Sequence, residues 1–141
     1  MAAVLGYWKL DKNDDKWDEY MKTVGVNFVL RKVGNSITSY EDIVQNGENW
    51  EMHLLSTFKN HHLQFKIGEE FDEVTPDGRN CKSTFVIEGE SLVHYQKGTK
   101  AGDVNSKITR TRLDDDTMTI TFVAEGKDIT SVRIYKKHPK S

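Results

Sequence analysis

The chain is poor in the residues and segments that mark several large classes of protein. Its 141 residues include two prolines and a single cysteine, Cys81, so an internal disulfide is excluded and a reducing, intracellular compartment is favoured. No apolar run approaches the roughly 20 residues of a transmembrane helix. The amino terminus lacks the basic and long apolar regions of a signal peptide. We therefore expect a cytoplasmic protein with neither a membrane span nor a cleaved leader.

Charge and hydropathy narrow the choice further. There are 20 Lys and Arg residues against 22 Asp and Glu, a formal net charge of −2, so the basic excess of a nucleic-acid-binding protein is missing. We expect no nucleic-acid partner. Apolar residues make up 36% of the chain, below the typical share of about 45–50%. Regular alternation and 10% aromatic residues nevertheless predict a folded domain, and the length fits a single one over residues 1–141.

Helical periodicity occurs in one place, near the amino terminus. An i, i+3, i+4, i+7 spacing there is typical of one apolar face of a short amphipathic helix. Gly25 can end this helix, and Asn27 can cap a second one that Gly34-Asn35 would end. The apolar positions of the first helix are Trp17, Tyr20, Met21 and Val24.

The remainder of the chain alternates in the manner of β-strands. Short strands at regular spacing, separated by tight turns rich in Gly, Asn and Asp, predict an antiparallel meander. With ten strands, closure into a barrel would remove the exposed edges. The candidate strands are residues 5–10, 36–45, 49–56, 63–67, 70–75, 79–88, 91–97, 107–113, 117–123 and 128–136.

The alternation leaves the last of these strands ambiguous. Val132 and Ile134 share one face, and Arg133 and Tyr135 share the other. A solid core favours the two aliphatic residues inside and the arginine in solvent. An enclosed cavity with a partly polar wall would instead turn Arg133 and Tyr135 inward, where a guanidinium fork and a phenol could bind a small anionic group. The strand that carries Arg110 poses the same question, and periodicity does not decide it.

Ordered motifs run through nearly the whole chain. Residues 5–10 read LGYWKL, and residues 17–32 read WDEYMKTVGVNFVLRK. Five further segments carry such motifs, namely residues 56–60, 65–73, 77–83, 93–97 and 132–137. In the same order, these segments resemble motifs of the intracellular fatty acid-binding protein family, which also contains the cellular retinoid-binding proteins. The family motifs include a G-x-W-K-L strand, a helix-turn-helix with a D-x-Y-M-K-x-x-G-V-x-F pattern, and a closing R-x-Y.

This resemblance implies an all-β fold, a ten-stranded antiparallel up-and-down β-barrel (a clamshell) with a helix-turn-helix lid. It also implies intracellular binding and transport of long-chain fatty acids, one ligand in the internal cavity with its carboxylate held by two arginines and a tyrosine. Arg133 and Tyr135 match the closing R-x-Y. For the second arginine the resemblance favours Arg110, with an additional residue in the following turn. Arg112 shares its strand face and is the alternative.

The resemblance also implies that the lid, the portal and the inner wall contact the acyl tail. Simple packing of the helix onto the barrel would explain the lid residues equally well, since one helix face can serve both purposes. The expected tail and portal residues are Trp17, Tyr20, Met21, Val24, Phe58, Pro76, Asp77, Ile120 and Phe122.

Other hydrophobic carboxylates are alternatives to a fatty acid, namely retinoic acid, an eicosanoid or a bile acid. Retinol is less favoured, because family members that bind the alcohol often carry glutamine where arginine is retained here. Lys22, Arg31 and Lys32 on the lid suggest transient contact with anionic membranes, and in some relatives similarly placed residues act in nuclear import. We expect a monomer in the cytoplasm, with the nucleus as an additional location.

Signatures of catalysis and of cofactor binding are missing from the sequence. There is no G-x-S-x-G, no Gly-rich phosphate loop and no H-E-x-x-H, so we expect neither an enzyme nor a cofactor. His61 and His62 are adjacent, but neighbours on a strand point to opposite faces. We therefore expect no metal site. Cys81 has no activating partner in the sequence and is interpreted as a structural residue.

Overall fold

The computed structural model of the chain describes residues 3–140. Within this range the chain forms ten strands and two helices, and neither helix is long and apolar enough to cross a membrane. In chain order the elements are β1 Gly6–Asn13, α1 Trp17–Val24, α2 Phe28–Ser36, β2 Ser39–Asn46, β3 Asn49–Ser56, β4 His61–Phe65, β5 Phe71–Val74, β6 Asn80–Glu88, β7 Ser91–Gly98, β8 Ser106–Arg112, β9 Thr117–Ala124 and β10 Ile129–Lys137.

The strands form one antiparallel sheet in the order β4-β3-β2-β1-β10-β9-β8-β7-β6-β5. Apart from β4 and β5, strands that follow one another in the chain are paired, and the pairing of β1 with β10 joins the first and last strands of the chain and rolls the sheet up. Across residues 3–140, β4 and β5 are the two edges of the sheet and are not hydrogen-bonded to each other. The structure therefore confirms the predicted ten-stranded antiparallel barrel with its helical lid, nearly closed and open only between β4 and β5.

Both predicted helices are present, and local signals explain where they begin and end. Gly25 follows α1 in a left-handed conformation (φ 105°), which residues with a side chain rarely adopt. Asn27 caps α2, because its side-chain oxygen accepts a hydrogen bond from the backbone N–H of Leu30 at 3.0 Å. Helix α2 extends to Ser36, past its predicted end. Strand β2 therefore begins at Ser39 and not at residue 36.

Strand ends differ from the prediction where polar residues pair within the sheet. Strand β1 extends to Asn13, three residues past its predicted end, and Asn13 pairs with Arg133 of β10 beyond a bulge. Strand β4 begins at His61 and not at residue 63, and His61 pairs with Leu54 of β3. The prediction ended β1 and began β4 at apolar residues, but the pairing is made by backbone groups that every residue other than proline carries in full.

The inner wall of the barrel carries polar as well as apolar side chains. Trp8, Phe85 and Met118 are fully buried in an apolar cluster, yet charged residues are buried in the same interior. This division explains how a chain with few apolar residues can fold, because part of the interior is a polar-lined cavity. The buried polar residues that line this cavity are Glu41, Glu73, Thr75, His94, Gln96, Arg110 and Arg133.

The cap of α2 allows a test of how the lid is held. None of the described residues of α2 (Phe28–Ser36) is buried, so this helix depends on its cap more than α1 does. Loss of an asparagine cap typically costs about 0.5–2 kcal/mol. In Asn27→Ala we therefore expect the amides of α2 to exchange with deuterium roughly two- to 30-fold faster. Asn27→Ser keeps a capping oxygen and should retain the protection; equal loss in both variants would contradict the capping role.

Candidate functional site

A cavity of about 240 Å³ lies inside the barrel, and both helices contribute to its wall. Its lining is mixed. Aromatic and aliphatic side chains come from α1, α2 and several strands, while carboxylate, imidazole and guanidinium groups come from β2, β5, β7, β8 and β10. A mostly apolar cavity with a few convergent polar groups is the usual form of a site for a small organic ligand.

The two inward arginines lie in one row across neighbouring strands. Arg110 of β8 and Arg133 of β10 both pair with Ile120 of β9, which lies between them. Because residues directly opposite each other on paired strands point to the same face, the two guanidinium groups share the inner wall. Ile120 itself is fully buried in the apolar cluster and lies outside the set of residues that line the cavity, unlike the other residues expected to contact the tail.

Arg110 is held by a carboxylate that the sequence analysis did not identify. Its Nε and Nη2 groups donate to the two carboxylate oxygens of Glu41 at 2.9 and 3.1 Å, and both side chains are buried. Burial disfavours the charged guanidinium, but the charge of Glu41 more than offsets this, so the pKa of Arg110 is raised. The Nη1 group of Arg110 is buried without a hydrogen-bond partner within residues 3–140. It is therefore a donor still available on the cavity wall.

Arg133 has a different environment from Arg110. It is only 7% exposed, and its Nε donates to the side-chain oxygen of Asn13 at 2.7 Å. The guanidinium carbon lies 4.1 Å from the centre of the Trp17 ring and 5.7 Å from that of Tyr135, within cation–π distance. Within residues 3–140 no carboxylate forms an ion pair with it. Arg133 is thus a buried cation without a counter-charge in the described protein.

Tyr135 contributes a neutral phenol to the same part of the wall. The ring is 1% exposed, and burial, partly offset by the nearby charge of Arg133, raises the pKa of the hydroxyl to about 12. The phenol is therefore protonated at neutral pH and can donate a hydrogen bond. Arg110, Arg133 and Tyr135 together place three donor groups, two of them cationic, on the wall of one cavity.

Arg112, the alternative to Arg110, lies elsewhere. Its Nε and Nη2 donate to the backbone carbonyls of Asp114 and Asp115 at 3.0 and 2.9 Å, and its guanidinium lies 5.8 Å from the centre of the Trp8 ring. It does not belong to the described cavity wall. The tertiary structure thus places Arg110 at the cavity and uses Arg112 to hold the turn after β8.

A second polar cluster lies on the wall around Glu73. Its carboxylate accepts hydrogen bonds from Ser83 at 2.6 Å, from Nε2 of His94 at 2.8 Å and from the amide of Gln96 at 3.2 Å. Burial by itself would raise the pKa of Glu73, but these hydrogen bonds and the electrostatic attraction of His94 outweigh it and lower the pKa to about 2. Burial also lowers the pKa of His94, so its imidazole is neutral at pH 7. The cluster is fully satisfied and keeps one negative charge inside the barrel.

The lid residues both pack together and line the cavity. The Trp17 ring lies 5.7 Å from that of Tyr20 and 4.8 Å from that of Phe122, measured between centroids. The indole N–H of Trp17 donates to the carbonyl of Gly34 at 3.2 Å and so ties α1 to α2. The same side chains of the lid face therefore pack against the barrel and border the cavity. The expected tail and portal residues that lie on the cavity wall are Trp17, Tyr20, Met21, Val24, Phe58, Pro76, Asp77 and Phe122.

Glu41, Glu73 and His94 are the polar residues that sequence reasoning missed. Each of them lies on the apolar face of its strand, for example Glu41 two residues before the buried Ile43. A charged residue on a buried face is unusual unless it is paired. A polar residue at an apolar position of a strand was therefore the signal in the sequence, but the sequence does not show which residue of another strand is its partner.

Comparison with known proteins identifies the family. Fatty acid-binding protein homolog 5 of Caenorhabditis elegans is 46% identical over 106 residues, 75% of this chain and 77% of the relative. Homolog 6 of the same organism is 40% identical over 131 residues, 93% of this chain and 94% of the relative.

The fold and the family profile agree with these relatives. The Schistosoma mansoni fatty acid binding protein in complex with arachidonic acid superposes with a TM-score of 0.88 at 36% identity, covering 99% of this chain and 98% of that one. The profile of the lipocalin / cytosolic fatty-acid binding protein family matches residues 5–140. The chain therefore belongs to the lipocalin / cytosolic fatty-acid binding protein family.

Proposed function

We propose that the protein binds one long-chain fatty acid in its internal cavity and carries it through the cytoplasm. The observation on which this proposal rests is the buried, uncompensated cation of Arg133 beside the phenol of Tyr135 on the wall of a mainly apolar cavity. Its relatives, named as fatty acid-binding proteins, support the ligand class. We further propose that a single barrel domain, as a monomer, suffices for binding, and that the nucleus is an additional location.

The local pairing of the buried charges favours a ligand with one negative charge at Arg133. Glu41 neutralises Arg110, and Asp77 pairs with Arg79 at the rim of the cavity at 2.7 Å. Glu73 is held by neutral donors, so its charge is already solvated by the protein. Arg133 is the buried cation that lacks such a partner within the described residues. A carboxylate at Arg133 could also accept from Tyr135 and from the free Nη1 of Arg110.

The acyl tail would supply most of the affinity. Burial of a methylene group gains about 0.8 kcal/mol, so some fifteen of them amount to roughly 12 kcal/mol before the costs of immobilisation. A charge-assisted hydrogen bond adds only about 1.5–3 kcal/mol. The arginines and the tyrosine would therefore set the orientation of the ligand and the choice of its head group. Retinoic acid, an eicosanoid or a bile acid has the same carboxylate and remains the alternative ligand.

A second proposal concerns the outer surface of the lid. Phe28 and Val29 at the start of α2 are 61% and 69% exposed, and the charged groups of Arg31 and Lys32 lie within 6 Å of the Phe28 ring. Exposed apolar side chains beside basic ones favour an anionic membrane surface. We propose that this surface contacts membranes transiently when the ligand is transferred.

The role of Arg133 can be tested by comparing an acid with its alcohol. In Arg133→Gln we expect oleate to bind roughly ten- to 150-fold more weakly, the value of one charge-assisted hydrogen bond, while oleyl alcohol changes little. Arg112→Gln, which removes an arginine outside the cavity, should leave both affinities unchanged. Isothermal titration calorimetry gives the dissociation constants of both variants for both ligands, each to be compared with the wild-type value. Equal weakening of acid and alcohol would show that Arg133 does not bind the carboxylate.

Removal of the charge of Glu41, the partner of Arg110, should strengthen the binding of oleate, whereas loss of Arg133 should weaken it. Glu41→Gln removes the internal competitor for Arg110, so oleate should bind roughly tenfold more tightly with little change for oleyl alcohol. The ligand-free variant should lose about 3–5 kcal/mol of stability, because it leaves a buried guanidinium unpaired. Asp42→Asn is the matched control, since Asp42 is the next residue and pairs with Lys140 instead. An unchanged or weaker affinity for oleate in Glu41→Gln would exclude Arg110 from the carboxylate site.

Membrane contact can be tested by the rate of transfer to vesicles. Lys22 and Lys32 are the suitable targets, because Arg31 is already bound to Asp18 and to the carbonyl of Val26. In the double variant Lys22→Gln/Lys32→Gln we expect transfer of a fluorescent fatty acid to vesicles with anionic lipid to slow by up to about 30-fold, at about 1 kcal/mol per basic residue. Lys66→Gln, beyond β4 at the opposite end of the barrel, is the control. Wild-type transfer that does not respond to anionic lipid would refute the proposal.

A further inference from the structure

Three side chains with metal-binding atoms meet on the outer face of the barrel. Glu51 and His53 are two residues apart on β3 and therefore point to the same side. His62 of β4 pairs directly with His53. The intervening residue Met52 is fully buried on the inner side. The three side chains thus form a cluster outside the cavity.

The ligand atoms are already close to the spacing that a metal ion requires. Oε1 of Glu51 lies 3.0 Å from Nε2 of His62 and 3.5 Å from Nε2 of His53. One ligand atom from each residue lies within 4.8 Å of the others. In a tetrahedral site with bonds of about 2.0–2.1 Å, ligand atoms are about 3.3–3.4 Å apart. The two distances from the Glu51 oxygen to the imidazole nitrogens, 3.0 and 3.5 Å, lie on either side of this spacing.

We propose that Glu51, His53 and His62 bind a divalent transition-metal ion on the outer face of β3 and β4. Two imidazoles and one carboxylate are ligands that suit Zn²⁺, Cu²⁺ and Ni²⁺. Water would fill the remaining position, because the side chains of these residues are 35–44% exposed. The site does not suit Ca²⁺, which takes six to eight oxygen ligands.

A metal ion bound at this cluster would hold the edge strand β4 to β3. Strand β4 is an edge of the sheet and is paired only with β3 within the described residues. An ion held by Glu51 and His53 on one strand and by His62 on the other would add a cross-link between them. An ion that binds the folded state and not the unfolded state stabilises the folded state, so zinc should raise the melting temperature of the protein.

Among the histidines, the expectation of no metal site considered the pair His61 and His62. That argument was correct about the pair, because His61 lines the cavity and His62 lies on the outer face with His53. It did not include His53, which is nine positions away in the chain. The register of β3 against β4 brings His53 to His62, with their rings stacked at 4.2 Å between centroids.

The test is titration of tag-free, chelator-treated protein with ZnCl₂. We expect one ion per chain by calorimetry, and with Co²⁺ an absorption spectrum of nitrogen and oxygen ligands without a thiolate band, which excludes Cys81. His62→Gln, His53→Gln and Glu51→Gln should each weaken zinc binding at least tenfold. His61→Gln is the matched control, since it removes the neighbouring histidine from the opposite face, and it should retain the wild-type affinity for zinc. CaCl₂ should produce no binding heat.

Several outcomes would overturn the proposal. They are the absence of zinc binding, unchanged zinc affinity in the three variants, equal loss in His61→Gln, or binding of Ca²⁺ as tight as that of Zn²⁺. Circular dichroism without metal establishes that each variant is folded. Because the three variants remove different ligands, failure of one to fold leaves the other two to decide.

Discussion

Burial of two guanidinium groups inside a narrow barrel is the constraint on which the site depends. A charge removed from water is costly unless the protein or a ligand supplies a partner. Arg110 has its partner in Glu41, which forms both hydrogen bonds of a bidentate pair. Among residues 3–140, Arg133 has only Asn13 and the faces of two aromatic rings as partners. This inequality distinguishes two arginines that share one row of the sheet.

The contact between Arg133 and Trp17 connects the cavity to the lid. The Trp17 ring that covers the Arg133 guanidinium belongs to α1, and its indole N–H holds the carbonyl of Gly34 in α2. A ligand group that binds Arg133 therefore acts next to the residue that joins the two helices. Helix α2 itself is held by its cap and by few buried contacts, which makes it the less stable half of the lid.

Particular elements show how far sequence reasoning could go. The apolar period of α1, the glycine that ends it and the asparagine that caps α2 act over a few residues, and all three were predicted correctly. The ten strands and their antiparallel order were also predicted, because alternation and turn residues are local signals. The end of β1 and the start of β4 were not, because polar residues there pair through the backbone with a neighbouring strand of the sheet. The cluster of Glu51, His53 and His62 was missed for the same reason.

The sequence by itself determined the elements, their order and the residue types available to the site, since these follow from local patterns and from ordered motifs. Which face of each strand turned inward was decided only by the tertiary structure. Alternation offers two equivalent faces, and closure of β1 on β10 selects one of them for the whole barrel. That choice turned Arg110 and Arg133 toward the cavity and brought Glu41 to Arg110 from 69 residues away. Arg112 shares the face of Arg110, but it is the last residue of β8 and binds the turn that follows.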